Sequence, residues 1–250
     1  METALFILAA ALIILFLGRK ALAARRDPGS SLLRTGRGLE RIGRYGDAEE
    51  HYRLAEGEFR GKGDAAGQAK ALFLRGLILK HRKEYDAAMD LFLQAETLCV
   101  RLGDRDSLAH DCMCMGETRG EQGRHADAAA CLSRAAGIWR ELKRTDNYAY
   151  ACFKLGSALA KSGSYEEAIT AFGQAGKIWR RQLNTESLSQ IFIEIAVCKA
   201  GMGDRDGAVG DYREAERLLK KLGAMDGVTE MRRRVRELEA LGQGGAPPPR

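Results

Sequence analysis

The residues best suited to chemistry are the sulfur-rich run His110-Asp111-Cys112-Met113-Cys114. On a helix His110, Cys114 and Glu117 fall at i, i+4 and i+7 and share a face. An imidazole, a thiolate and a carboxylate are zinc-ligand types, but a closed structural site takes four ligands. Cys112 falls on another side of such a helix, so the trio is an incomplete candidate. A helix that carries sulfur residues for packing explains the run more simply, and no metal or other cofactor is expected.

Other catalytic signatures are missing. No phosphate loop of the G-x-x-x-x-G-K-[ST] type occurs, and Gly61-Lys62-Gly63 and Gly201-Met202-Gly203 have no strand before them. The four histidines, His51, His81, His110 and His125, are scattered through the chain, with no Ser/His/Asp spacing beside them. Asp204-Arg205-Asp206-Gly207 opens like a calcium loop but lacks the downstream ligands. The reading is a chain without catalysis.

What must position these residues is a repeat. Tyr45, Tyr85, His125, Tyr165 and Arg205 stand 40 residues apart, and whole columns follow the same step. Small residues recur at Gly36, Gly76, Gly116, Gly156 and Ala196. Alanine recurs at Ala48, Ala88, Ala128, Ala168 and Ala208, and again at Ala55, Ala95, Ala135, Ala175 and Ala215. Between the alanines lies a bulky column, Tyr52, Phe92, Leu132, Phe172 and Tyr212, and each unit closes on Phe59, Cys99, Trp139, Trp179 or Leu219. Five registers without an insertion across Gly36–Leu222 mark a repeat array. Alanine, bulky residue and alanine at i, i+4 and i+7 make one helical stripe, and the glycine belongs to an earlier helix that a neighbour approaches closely.

These columns resemble the tetratricopeptide repeat (TPR) family, with Cys152-Phe153-Lys154-Leu155-Gly156 and Tyr165-Glu166-Glu167-Ala168, running on to Phe172 and Ala175, as the best match. The closing proline of the family is absent, and the unit is longer than the usual 34 residues. The spacing is similar to the long-repeat subgroup of cell-polarity scaffolds and kinesin light chains. The expected fold is an all-α, TPR-like α-solenoid of five helical hairpins, near 30–62, 66–102, 106–143, 147–183 and 186–222. A capping helix, Val228–Leu241, follows. Asp64 and Asp104 are placed as N-caps, and Ser30 or Ser31 is expected to cap the first helix. The expected organisation is an anchor over 1–27, repeats over 28–241 and a disordered tail over 242–250.

The resemblance implies that the first helix of each hairpin lines a concave groove. The column three residues before the glycine then faces inward: Leu33, Phe73, Met113, Phe153 and Ile193, apolar in every repeat. Leu77, Tyr150 and Val197 flank it, together with His110. The simplest alternative is packing between hairpins, but five large apolar residues with two phenylalanines favour a protein or peptide client. The lysine, asparagine and arginine clamp of chaperone-binding members is absent, with Leu33 and Arg37, then Phe73 and Leu77, at its first positions.

Charge and cysteine usage narrow the class further. The net charge is +6, and Gly18–Arg44 alone holds eight basic residues against two acidic ones. Basicity so local argues against a nucleic-acid partner, whose footprint would run along the repeats. Of six cysteines, three sit in apolar columns, as in a reducing compartment.

Ala4–Leu17 is an unbroken run of 14 apolar residues, followed by Arg19 and Lys20 and then Arg25 and Arg26. The expectation is one N-terminal transmembrane helix, its basic flank at the lipid surface, with the repeats facing the cytoplasm by the positive-inside rule. The functional reading is a membrane-anchored, non-catalytic scaffold that recruits or helps assemble partners. The alternative is a self-assembling structural protein that coats a membrane as a homo-oligomer. A one-to-one complex abolished by groove substitutions favours the first, and client-free oligomers the second.

Overall fold

The 40-residue step is realised as helices that follow one another every 20 residues. The computed structural model describes residues 27–242. They form eleven helices: α1 (Pro28–Arg41), α2 (Tyr45–Gly61), α3 (Ala65–His81), α4 (Tyr85–Leu102), α5 (Arg105–Glu121), α6 (His125–Glu141), α7 (Thr145–Lys161), α8 (Tyr165–Arg181), α9 (Thr185–Gly201), α10 (Arg205–Lys221) and α11 (Met225–Gly242). No strand occurs among the described residues. The chain divides into two compact units between Gly103 and Asp104.

The first unit contains α1–α4 in consecutive antiparallel contact, and its core gathers Leu33, Tyr52, Phe59, Ala71 and Ile78. The second contains α5–α11. Three hairpins, α5–α6, α7–α8 and α9–α10, are followed by α11, which packs Met231 and Val235 against Tyr212 and Ala215 of α10.

Both alanine columns have 0% exposure throughout, so they are the floor of every hairpin. The glycine and bulky columns meet each other. A Cβ added at Gly76 would stand 2.6 Å from Phe92, one at Gly116 2.7 Å from Leu132, and one at Gly156 2.7 Å from Phe172. Gly36 faces Tyr52 in the same way, and in the fifth hairpin Ala196 and Tyr212 share one core. A helix-interior glycine costs about 1 kcal/mol relative to alanine, and here that cost is offset by a large apolar side chain lying directly on the backbone.

The turns are as regular as the helices. A residue with positive φ recurs every 20 positions: Gly43, Gly63, Lys83, Gly103, Gly123, Lys143, Gly163, Leu183, Gly203 and Gly223. Asp64, Asp104, Asn184 and Asp204 then cap the following helices, accepting from the backbone N–H three residues on at 2.9–3.1 Å. At α1 the expected serine cap is corrected. Asp27 is the N-cap, Pro28 takes the first helical position, and Ser30 donates its N–H to Asp27 at 2.8 Å. A proline loses nothing there, because that N–H has no partner inside the helix.

The expectation of a membrane-spanning helix is corrected. Among the described residues no helix is long and apolar enough to cross a membrane. At 14–18 residues and about 1.5 Å per residue they reach at most about 27 Å, and every one carries charged side chains. The single-pass localisation with repeats facing the cytoplasm, and membrane contact through an N-terminal helix, fall with it. The apolar run, Arg19, Lys20, Arg25 and Arg26 lie outside the described residues, as does 243–250, whereas Gly242 ends α11.

Gly156→Leu is expected to destabilise the protein by about 1–3 kcal/mol, because Phe172 has no room to retreat. Urea denaturation followed by circular dichroism measures it, and an unchanged midpoint would refute the crossing. Leu183, at φ 56 and 83% exposed, should behave oppositely. Leu183→Gly removes left-handed strain without losing burial, and a gain of about 0.5–1 kcal/mol is expected after the entropy cost of glycine.

Candidate partner-binding face

The first helices, α1 and α3 in one unit and α5, α7 and α9 in the other, carry the inward column. Its members are not equivalent. Leu33 and Met113 are buried among neighbouring helices. Phe73 is half-buried, with its ring 5.8 Å from that of Phe92, and Leu77 one turn on is half-buried too. Phe153 is likewise half-buried, 5.7 Å from Phe172 and 5.6 Å from Trp179. Ile193 packs against the α9–α10–α11 core with part of its surface open. Tyr150 and Val197 are exposed, at 45% and 39%. The column therefore serves both hairpin packing and the surface.

Two cavities flank Phe153 in the second unit. One, of about 480 Å³, lies among α5, α6 and α7 and is lined by Glu117, His125, Leu132, Lys154 and Lys161. The other, of about 650 Å³, lies between α7 and the α10–α11 turn. Its walls are Tyr150, Phe153, Trp179, Leu219 and Leu222, with Glu186 and Gln190 of α9 at the polar side.

Lys154 divides them electrostatically. Its ammonium stands 3.4 Å from the Glu117 carboxylate and 5.3 Å from the centre of the Tyr150 ring. Partial burial works against its charge, but Glu117 and Tyr150 outweigh that and raise its pKa. The Tyr150 hydroxyl lies 3.5 Å from the same carboxylate, so Tyr150, Lys154 and Glu117 hold one another.

The zinc-type trio is not assembled. His110 is exposed and lies edge-on to Trp139 at 5.1 Å, while Glu117 is engaged with Lys154. Among the described residues no three His, Cys, Asp or Glu side chains form a group able to hold a metal ion.

Trp179 and Glu186 were not singled out by sequence. Trp179 shares a column with Trp139, which is 2% exposed beneath His110. The residue matching His110 forty positions on is Tyr150, which lines the same cavity as Trp179.

Antiparallel hairpins with small-residue crossings and an apolar face on their first helices define a TPR-like helical-repeat protein, a class of protein-interaction scaffold. The chain belongs to the SNAP family (soluble NSF attachment protein), whose pattern matches residues 48–225. Among solved structures it is similar to BtubC (BKLC) from P. vanneervenii, with TM-score 0.70 and 17% identity over 97% of this chain and 93% of that one. It is also similar to the nearly identical TPR-like repeats of a putative kinesin light chain from Podosopora anserina, with TM-score 0.62 and 16% identity over 87% of this chain and 99% of that one. A third likeness is to a Rap protein complexed with Competence and Sporulation Factor, with TM-score 0.59 and 18% identity over 87% of this chain and 64% of that one. At such identities these likenesses show the fold. No curated protein matches by sequence.

Cysteine reactivity offers a test of this packing. Cys99, Cys112, Cys152 and Cys198 are buried, and burial pushes the Cys152 thiol up and that of Cys198 to about 11. Only Cys114 and Cys131, half-buried, are expected to react quickly with a maleimide at neutral pH, as read by intact-protein mass. Rapid labelling of all six in folded protein would contradict the structure.

Proposed function

We propose that the chain is a non-catalytic interaction scaffold of the long-repeat TPR kind, which recruits or assembles partners by binding a protein or peptide segment on the face of its first helices. The observation that carries this reading is the aromatic cavity walled by Tyr150, Phe153 and Trp179. A fold stabilised only by packing has no need to leave three aromatic side chains lining open space. The Rap structure supports the reading by analogy, as a similar fold in complex with a factor.

Phe73 and Phe153 are the anchors of the two units. A central aromatic anchor contributes about 2 kcal/mol or more to binding, or roughly 30-fold in affinity. Phe73→Ala combined with Phe153→Ala is expected to weaken a client captured by the full chain by well over tenfold, as measured by calorimetry with the purified client. Thermal unfolding of the variant is followed in parallel, since both rings also pack on the bulky column. Retained affinity in a normally folded variant would remove the first-helix face as the site.

A further inference from the structure

The cavity walled by Tyr150, Phe153 and Trp179 has a carboxylate but no free cation of its own. Glu186, in the first turn of α9, lines it and forms no ion pair among the described residues. The remaining polar lining is neutral, from Ser187, Ser189 and Gln190. Lys154, next to Phe153 in the chain, is held by Glu117 at 3.4 Å. Its ammonium also stands 5.3 Å from the centre of the Tyr150 ring, so this ring is one that a cation approaches. Beyond the aromatic rings, Leu219 and Leu222 supply an aliphatic side.

An aromatic wall, an aliphatic side and one unpaired carboxylate match a single kind of side chain, one with an apolar stem and a positive end. Aromatic faces attract cations through their quadrupole, most strongly where water is partly excluded. A long basic side chain buries its methylenes along apolar surface and keeps its charged head near a counter-ion. Arginine suits the site better than lysine, since its planar guanidinium stacks on rings and pairs with a carboxylate through two parallel N–H donors.

We propose that this cavity is an arginine-recognition subsite: the partner presents an arginine flanked by apolar residues, its stem against Phe153, Trp179 and Leu222 and its guanidinium at Glu186. The inference rests on the reading that the first-helix face binds a protein or peptide, and it names the chemistry of that partner at one position.

The simpler account is that Glu186 sits at a helix N-terminus for the sake of the helix dipole. That account gives Glu186 no role in binding, which separates the two. The test uses the full chain and three acetylated, amidated heptapeptides that differ only at the centre of a leucine-containing sequence: arginine, norleucine or glutamate. Trp179 is the reporter, because Trp139 is almost wholly buried and gives a constant background in the intrinsic fluorescence.

The arginine peptide is expected to bind at least fivefold more tightly than the norleucine peptide, and the glutamate peptide not measurably. Glu186→Gln should erase the preference for arginine over norleucine while leaving norleucine affinity unchanged. Tyr150→Ala, at an exposed position, should weaken both. Equal binding of the arginine and norleucine peptides, or a preference that survives Glu186→Gln, overturns the arginine assignment and leaves the apolar face standing. If no peptide binds, both the subsite and the broader reading of this cavity fall. Glu186→Gln removes one charge from a solvent-facing residue, and its melting curve confirms that the fold is retained.

Discussion

Four of the five hairpins depend on one contact: a large side chain of the second helix lying against bare backbone of the first. Phe92 covers Gly76, Leu132 covers Gly116, and Phe172 covers Gly156. With glycine on one side and fully buried alanines on the other, two helices approach closely enough for a single large side chain to fill the gap. The contact also fixes rotation, since a ring placed over glycine cannot slide to the next residue without meeting a Cβ. Repetition of the same residue types at the same spacing follows from repetition of that constraint.

Charged groups contribute less to holding the helices together. Arg232, Arg233 and Arg234 of α11 are paired with Glu216, Glu230 and Glu237, and Arg213 with Glu239, but these arginine side chains are about 41–63% exposed. Pairs in such surroundings are worth at most about 1 kcal/mol each. Their value is in solubility: α11 buries Val228, Met231 and Val235 and turns a charged face outward, as a terminal repeat requires. A more embedded tie joins α2 to α3, where Glu56 is 7% exposed and meets Arg75.

The repeat was legible from the chain because close packing constrains residue type, and residue type is what a sequence displays. The aspartate caps at Asp64 and Asp104 were legible for the same reason. The membrane-spanning helix was read from an apolar run, and the helices described are too short and too charged to supply one. The candidate face was only partly legible. One apolar column contains Met113, which is buried, and Phe153, which lines a cavity, and nothing at those two positions distinguishes them.

The sequence by itself determined the period, the crossing points and the all-helical repeat class of the fold, because each rests on contacts between columns that recur at a constant offset. Tertiary structure alone decided which apolar side chains remain partly open, since exposure depends on the residue that covers each one from a neighbouring helix. Trp139 lies beneath His110, whereas Trp179 stands in a cavity beside Tyr150. It also decided the charge of that cavity. Glu186 comes to the aromatic wall only when α7, α8, α9 and the α10–α11 turn converge, a meeting of four segments that no local pattern encodes.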